Sequence, residues 1–170
     1  MLFAVAALAL VFFGLVATAA LEDARSITIP NWISLALAAA FPLAAMAVGM
    51  PLQTVALNVA AGLAALVIGM VMFALRWVGG GDAKLFAAVS LWLGWVAIPT
   101  FVVATALAGG GLAVLLLSVR SAPLRPIVLL GPSWVVRLAE PGEGIPYGVA
   151  IAIGAIAAFP LTLFGASLGL

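Results

Sequence analysis

The chain has 170 residues, 68% of them hydrophobic and 6% charged, with a net charge of +1 and a mean hydropathy of +1.43. That composition is foreign to soluble globular proteins and suits a lipid bilayer, and six scattered basic residues form no nucleic-acid-binding stripe. With no Cys and no His, disulfides, thiolate or imidazole catalysis and the usual zinc ligands are excluded, which leaves carboxylates, hydroxyls, Lys84, Tyr147 and the backbone to carry any chemistry.

A span takes about 20 apolar residues, so the chain accommodates roughly six helices and no soluble domain. Residues 1–170 therefore read as a single membrane-embedded domain, all-α and polytopic. The first segment is the uninterrupted apolar run 1–21. Its end, Ala17-Thr18-Ala19-Ala20, resembles a signal-peptidase site, but no basic residue precedes Arg25 to form the positive region of a signal peptide, so a retained helix is expected. The second segment, 32–48, is entered through Pro30-Asn31 and left through Gly49-Met50-Pro51. The third is 53–75. The run Arg76 to Asp82, with Gly79, Gly80 and Gly81, reads as a turn because glycine disfavours a helix interior. A short fourth segment, 83–98, ends before Pro99, and the fifth is 99–119. Residues 120–144, broken by Pro123, Pro126, Pro132 and Pro141, form the one long connection, with a short surface helix opening at Ser133-Trp134. Residues 145–168 close the sequence as the sixth segment.

On this map every basic residue (Arg25, Arg76, Lys84, Arg120, Arg125, Arg137) and every acidic one falls on the same membrane face, which the positive-inside rule assigns to the cytoplasm. The only two aspartates, Asp23 and Asp82, lie two spans apart and so return to one face. Two functions fit them at this level. Juxtamembrane Asp and Lys anchor helix ends in the headgroup layer, and Asp82 is placed to cap the fourth helix. A close carboxylate pair also suits peptide hydrolysis, because the two cannot both ionise cheaply and so divide into an acid and a base.

The segment Gly79-Gly80-Gly81-Asp82-Ala83-Lys84-Leu85 resembles the GxGDxKL pattern of the type IV prepilin peptidases, which are intramembrane aspartyl proteases. Presenilins and signal peptide peptidases share GxGD, but here it stands in order with Asp23 and Arg25 followed by Ile29-Pro30-Asn31, and with Pro146-Tyr147-Gly148. The resemblance implies that Asp23 and Asp82 are the catalytic pair, that Gly79 and Gly81 shape the second site, and that Lys84 and Asn31 support it. Tyr147 is placed either to donate a hydrogen bond near the site or to sit in the interfacial aromatic belt. The implied substrate is a pilin or pseudopilin precursor with a basic leader and a hydrophobic helix, cut at the cytoplasmic face of a bacterial inner membrane without cofactor or metal. Larger relatives carry a cytoplasmic domain with zinc-binding cysteines and methylate the new amino terminus. The absence of Cys and the short stretch joining the first two helices depart from that pattern and resemble the peptidase-only branch of Flp-type (tight adherence) pili, or a preflagellin-type relative.

A competing class is a small proton-coupled transporter, or a pilus or secretion assembly factor, with the aspartates as proton carriers. It expects polar residues continuing through the membrane, and apart from Thr54, Asn58, Thr105 and a few hydroxyls there are none. Glu22, Glu140 and Glu143 read as solvated, and Gly165 with Gly169 as a local packing contact.

Overall fold

The computed structural model describes residues 2–121, 130–138, 140 and 142–170. Regular structure there is helical throughout: α1 (Leu2–Ser26), α2 (Asn31–Val48), α3 (Leu52–Ala74), α4 (Gly80–Val119), α5 (Ser133–Leu138), α6 (Tyr147–Ala158), a 3-10 turn (Phe159–Leu161) and α7 (Leu163–Leu168). Four of these, α1 to α4, are long and apolar enough to cross a membrane, so the chain is a multi-pass membrane protein. Ser133 opens α5 at the place expected, while the part of the long connection that holds Pro123, Arg125 and Pro126, together with Pro141, lies outside the described residues.

Four boundaries differ from the sequence reading, the fourth being the break within α4 described below. Helix α1 continues past the expected end to Ser26, which puts Asp23 inside the helix, where the protein buries it. Helix α4 begins at Gly80, so Gly80, Gly81 and Asp82 form its first turn and Gly79 is its N-cap; glycine costs little there, because the first turn lacks intrahelical N–H partners anyway. The final segment is not one helix. Pro160 has no N–H to continue α6, which ends at Ala158, and Thr162 starts α7 afresh by accepting the Gly165 N–H at 3.0 Å.

Helix α4 is the element that organises the bundle. Its 40 residues would extend about 60 Å if straight, twice the hydrocarbon thickness. Instead it breaks at Gly94 into two arms, 80–93 and 95–119, and the ring of Phe86 stacks on that of Phe101 with centroids 4.5 Å apart, a contact that requires the chain to reverse. The break comes at Gly94, not at Pro99, because Gly94 adopts φ 65° and ψ 175°, a region essentially closed to residues with a Cβ. A Cβ at Gly94 would also run into the side-chain oxygen of the buried Asn58. The first arm lies along α3, where Gly69 meets Ala83 and Gly62 meets Leu91 at what would be 2.9 and 3.0 Å from an added Cβ. The second arm lies along α6, where Gly109 meets Tyr147 and Gly154 meets Thr105. Between apolar helices in lipid the attraction comes from close packing, which small residues permit.

The centre of the bundle is aromatic. Trp92, fully buried, has its ring 5.0 Å from Phe12 of α1 and 5.3 Å from Phe164 of α7, and its Nε1–H donates to the Leu37 carbonyl of α2 at 2.8 Å. One side chain on the first arm of α4 thus ties three other helices together. Substitution Gly94→Ala should destabilise the protein by at least about 1–3 kcal/mol through backbone strain alone. The helical control Gly110→Ala, where nothing lies within 4 Å, should leave the thermal midpoint in detergent unchanged or slightly raised.

Candidate active site

Asp23 lies in the last turns of α1 and is 4% exposed. A buried carboxylate needs a donor, and Asp23 finds one in the Gly148 N–H, which reaches its Oδ2 at 2.6 Å. Gly148 is the second residue of α6, so this N–H is one of those a helix leaves unpaired at its start, where negative charge is also favoured by the helix dipole. Glycine is required at 148 because a Cβ there would stand 2.9 Å from both the Cβ and the Oδ2 of Asp23.

Asp82 lies at the start of another helix, the third residue of α4. Its carboxylate turns back toward the Gly79 N–H, with Oδ2 2.7 Å from where a Cβ on Gly79 would stand. Its Oδ1 is buried and has no hydrogen-bond partner. Each carboxylate is thus held at the N-terminus of a helix, Asp23 at that of α6 and Asp82 at that of α4.

What brings these two helix ends together is the segment after α1. Ile27 adopts φ 54°, a strained left-handed conformation for a β-branched residue, and α1 stops there. Ile29 then becomes a buried wedge. It lies 3.1 Å from the position a Cβ would take at Gly81 and 3.0 Å from that at Gly148, so two glycines let one isoleucine space the turns that carry Asp82 and hold Asp23. Behind it, Gly144 packs on Ile27, and Arg120 at the end of α4 donates to the carbonyls of Leu138, Glu143 and Gly144 at 2.9, 3.0 and 3.2 Å.

Asp82 and Tyr147 line a cavity of about 520 Å³ between α3, both arms of α4 and α6, walled mainly by apolar side chains such as Ile68, Met72 and Phe86. Lys84 and Asn31 do not face it. Lys84 Nζ donates to Asn31 Oδ1 at 2.9 Å, and both border a separate groove beside α2. The structure therefore gathers Asp23, Asp82, Gly79, Gly81 and Tyr147 at one end of the bundle and sets Lys84 with Asn31 on the opposite flank of α4. Among the described residues, no three of His, Cys, Asp and Glu come together as metal ligands. Ile29, Gly148 and Arg120 were not singled out as site residues. The motif containing Gly148 was visible, but its N–H contact with Asp23 depends on a tertiary approach that spacing alone does not encode.

The model of the type IV leader peptidase family matches residues 10–114, a stretch that includes Asp23, the glycine run and Asp82. The chain belongs to the type IV leader peptidase family. Neither a curated protein nor a solved structure matches it. Membership makes the protein an aspartic-type prepilin peptidase, and its substrates are prepilins. The family match stops short of Pro146-Tyr147-Gly148, so the partner of Asp23 is identified by the geometry of this chain and not by the match.

This geometry separates two glycines by what their substitution should do. At Gly79 an added Cβ meets only the carboxylate end of Asp82, so Gly79→Ala should keep its stability to within about 1 kcal/mol while displacing that carboxylate. Prepilin leader cleavage should then fall on the order of 10²-fold, through kcat. Gly148→Ala, which presses on the Cβ of Asp23 and on Ile29, should lower both stability and cleavage. Wild-type turnover by Gly79→Ala would show that the position of the Asp82 carboxylate is immaterial.

Proposed function

We propose that Asp23 and Asp82 are the acid–base pair of this peptidase and that it removes the basic leader of Flp-type prepilins at the cytoplasmic face of a bacterial inner membrane. The observation that carries this reading is that the only two aspartates in the sequence stand at two helix N-termini spaced by one side chain, Ile29. An aspartic-type peptidase needs two carboxylates, and this chain has no others of that residue type.

The chemistry needs no nucleophilic side chain. Asp23, already accepting the Gly148 N–H, is suited to the charged role and takes a proton from the attacking water. The water oxygen adds to the scissile carbonyl while Asp82, whose Oδ1 has no protein partner, delivers a proton to the carbonyl oxygen. Collapse of the tetrahedral gem-diol breaks the C–N bond as Asp23 passes its proton to the departing amine and Asp82 takes one back from a gem-diol hydroxyl, which leaves a carboxyl terminus and restores each aspartate to its starting state. The apolar cavity beside Asp82 is suited to the hydrophobic segment that follows the cut, which enters sideways from the bilayer with its leader left in water.

The reversal at Gly94 supports a path of six passes, with the two arms of α4 as the fourth and fifth and α6 with its distal turns as the sixth. Positive-inside bias then puts the aspartate end in the cytoplasm. The absence of Cys and the short link between α1 and α2 favour peptidase activity without methyl transfer.

With purified protein and a Flp-type precursor in detergent, Asp23→Asn and Asp82→Asn should each lower cleavage by about 10²–10⁴-fold and retain the wild-type helical signal, while Glu22→Gln stays near wild type. Full cleavage by either aspartate variant would end the paired-carboxylate mechanism. In the same reaction, with chelator present and no methyl donor, the mass of the processed pilin should be that of a free amino terminus. A mass gain that depends on S-adenosylmethionine, or cleavage that requires added zinc, would disprove the peptidase-only reading.

A further inference from the structure

Helices α2 and α3 follow each other in the chain but pack on the first arm of α4 in preference to each other. Between them they leave a groove of about 620 Å³ with Leu35 on one wall, Val59 and Leu63 on the other and Leu91 on the floor, a volume in the range of ligand pockets. The groove is graded in polarity. At the end nearer the aspartates stand Lys84 and Asn31, joined by their 2.9 Å hydrogen bond. Ser34 follows, about 4.5 Å further along the axis of α2; it lines the same groove, is 8% exposed, and its Oγ has no partner. Serines within helices commonly return their hydroxyl to the carbonyl four residues back, as Ser90 does to Phe86 and Ser118 to Val114. Ser34 does not, so its buried hydroxyl stands without an acceptor beside the groove. Beyond Ser34 the lining is apolar.

We propose that this groove is a binding site for one anionic phospholipid. The order of groups fits: the Lys84 ammonium and the Asn31 amide meet the phosphate, the Ser34 hydroxyl, turned about χ1 toward the groove, donates to a glycerol ester carbonyl one helical turn deeper, and an acyl chain lies along Leu35, Val59 and Leu63. Basic pockets between helices at the membrane boundary bind anionic headgroups in this way. A precursor helix is the poorer occupant, because Asp82 faces the other side of α4 and does not border this groove.

Native mass spectrometry of the purified protein with equimolar phosphatidylglycerol and phosphatidylcholine tests the site, since both lipids compete in one spectrum. The wild type should retain one phosphatidylglycerol in preference by about fivefold. Lys84→Gln should abolish that preference and Lys84→Arg preserve it. Ser34→Ala and the groove-filling Leu63→Trp should weaken retention of both lipids. Arg76→Gln, which removes an exposed cation that does not border the groove, should change nothing. Equal retention of the two lipids by the wild type, or a preference that survives both Lys84→Gln and Leu63→Trp, overturns the proposal. Capture of the precursor instead of lipid by a photocrosslinker at Leu63 also overturns it and assigns the groove to substrate.

Discussion

A carboxylate enclosed by helices in a membrane has to be supplied with donors by the protein itself, and the hydrogen bond from the Gly148 N–H to Asp23 is where this bundle meets that demand. The bond fixes the end of α1 against the start of α6, residues 125 positions apart in sequence. Its length allows no side chain at 148, and the same exclusion recurs at Gly81, where Ile29 occupies the space a Cβ would need. Most of the local architecture answers this constraint. Ile27 bears a strained φ to end α1 on time, and Arg120 ties down the strand of chain that delivers Gly148 by bonding three of the carbonyls before it.

The second constraint is the reversal at Gly94. A 40-residue helix cannot be accommodated straight in a bilayer, and folding it back on itself gives the protein a cleft between its two arms in which Asp82 is the acidic wall residue. The cost is a backbone conformation open only to glycine and a buried amide, Asn58, held against it. The aromatic packing around Trp92 offsets that cost, because it fastens the first arm to α1, α2 and α7 at once.

Much of this was legible in the sequence for reasons that lie in the solvent. Hydrocarbon forbids unpaired backbone polar groups, so long apolar runs had to be helices, and α1 to α3 begin and end within a few residues of where Pro30, Gly49, Pro51 and Arg76 place them. The aspartates could be brought to one end by counting passes. What could not be read was tertiary. Pro99 carries the stronger helix-breaking signal, yet the break falls at Gly94, which takes a conformation open only to glycine and lets Phe86 stack on Phe101 across the bend. Glycines 79 to 81 looked like a turn because propensity scales describe helix interiors, while two of the three begin a helix, where the penalty is small. The pairing of Lys84 with Asn31, across 53 residues, had no local signature.

The first arm of α4 also divides the molecule. Residues two apart on a helix point about 200° from each other, so Asp82 and Lys84 cannot serve the same concavity, and they do not: Asp82, Phe86 and Ser90 face the cavity shared with Tyr147, while Lys84, Ala87 and Leu91 face the groove beside α2. The GxGDxKL run therefore supplies two surfaces, an acidic one to the cavity shared with Tyr147 and a basic one to the groove beside α2, from a single helical turn. Because Trp92 fixes the distal end of that arm to three helices, the two surfaces are held in register by one backbone, and neither side chain can be re-aimed without moving the turn that carries the other.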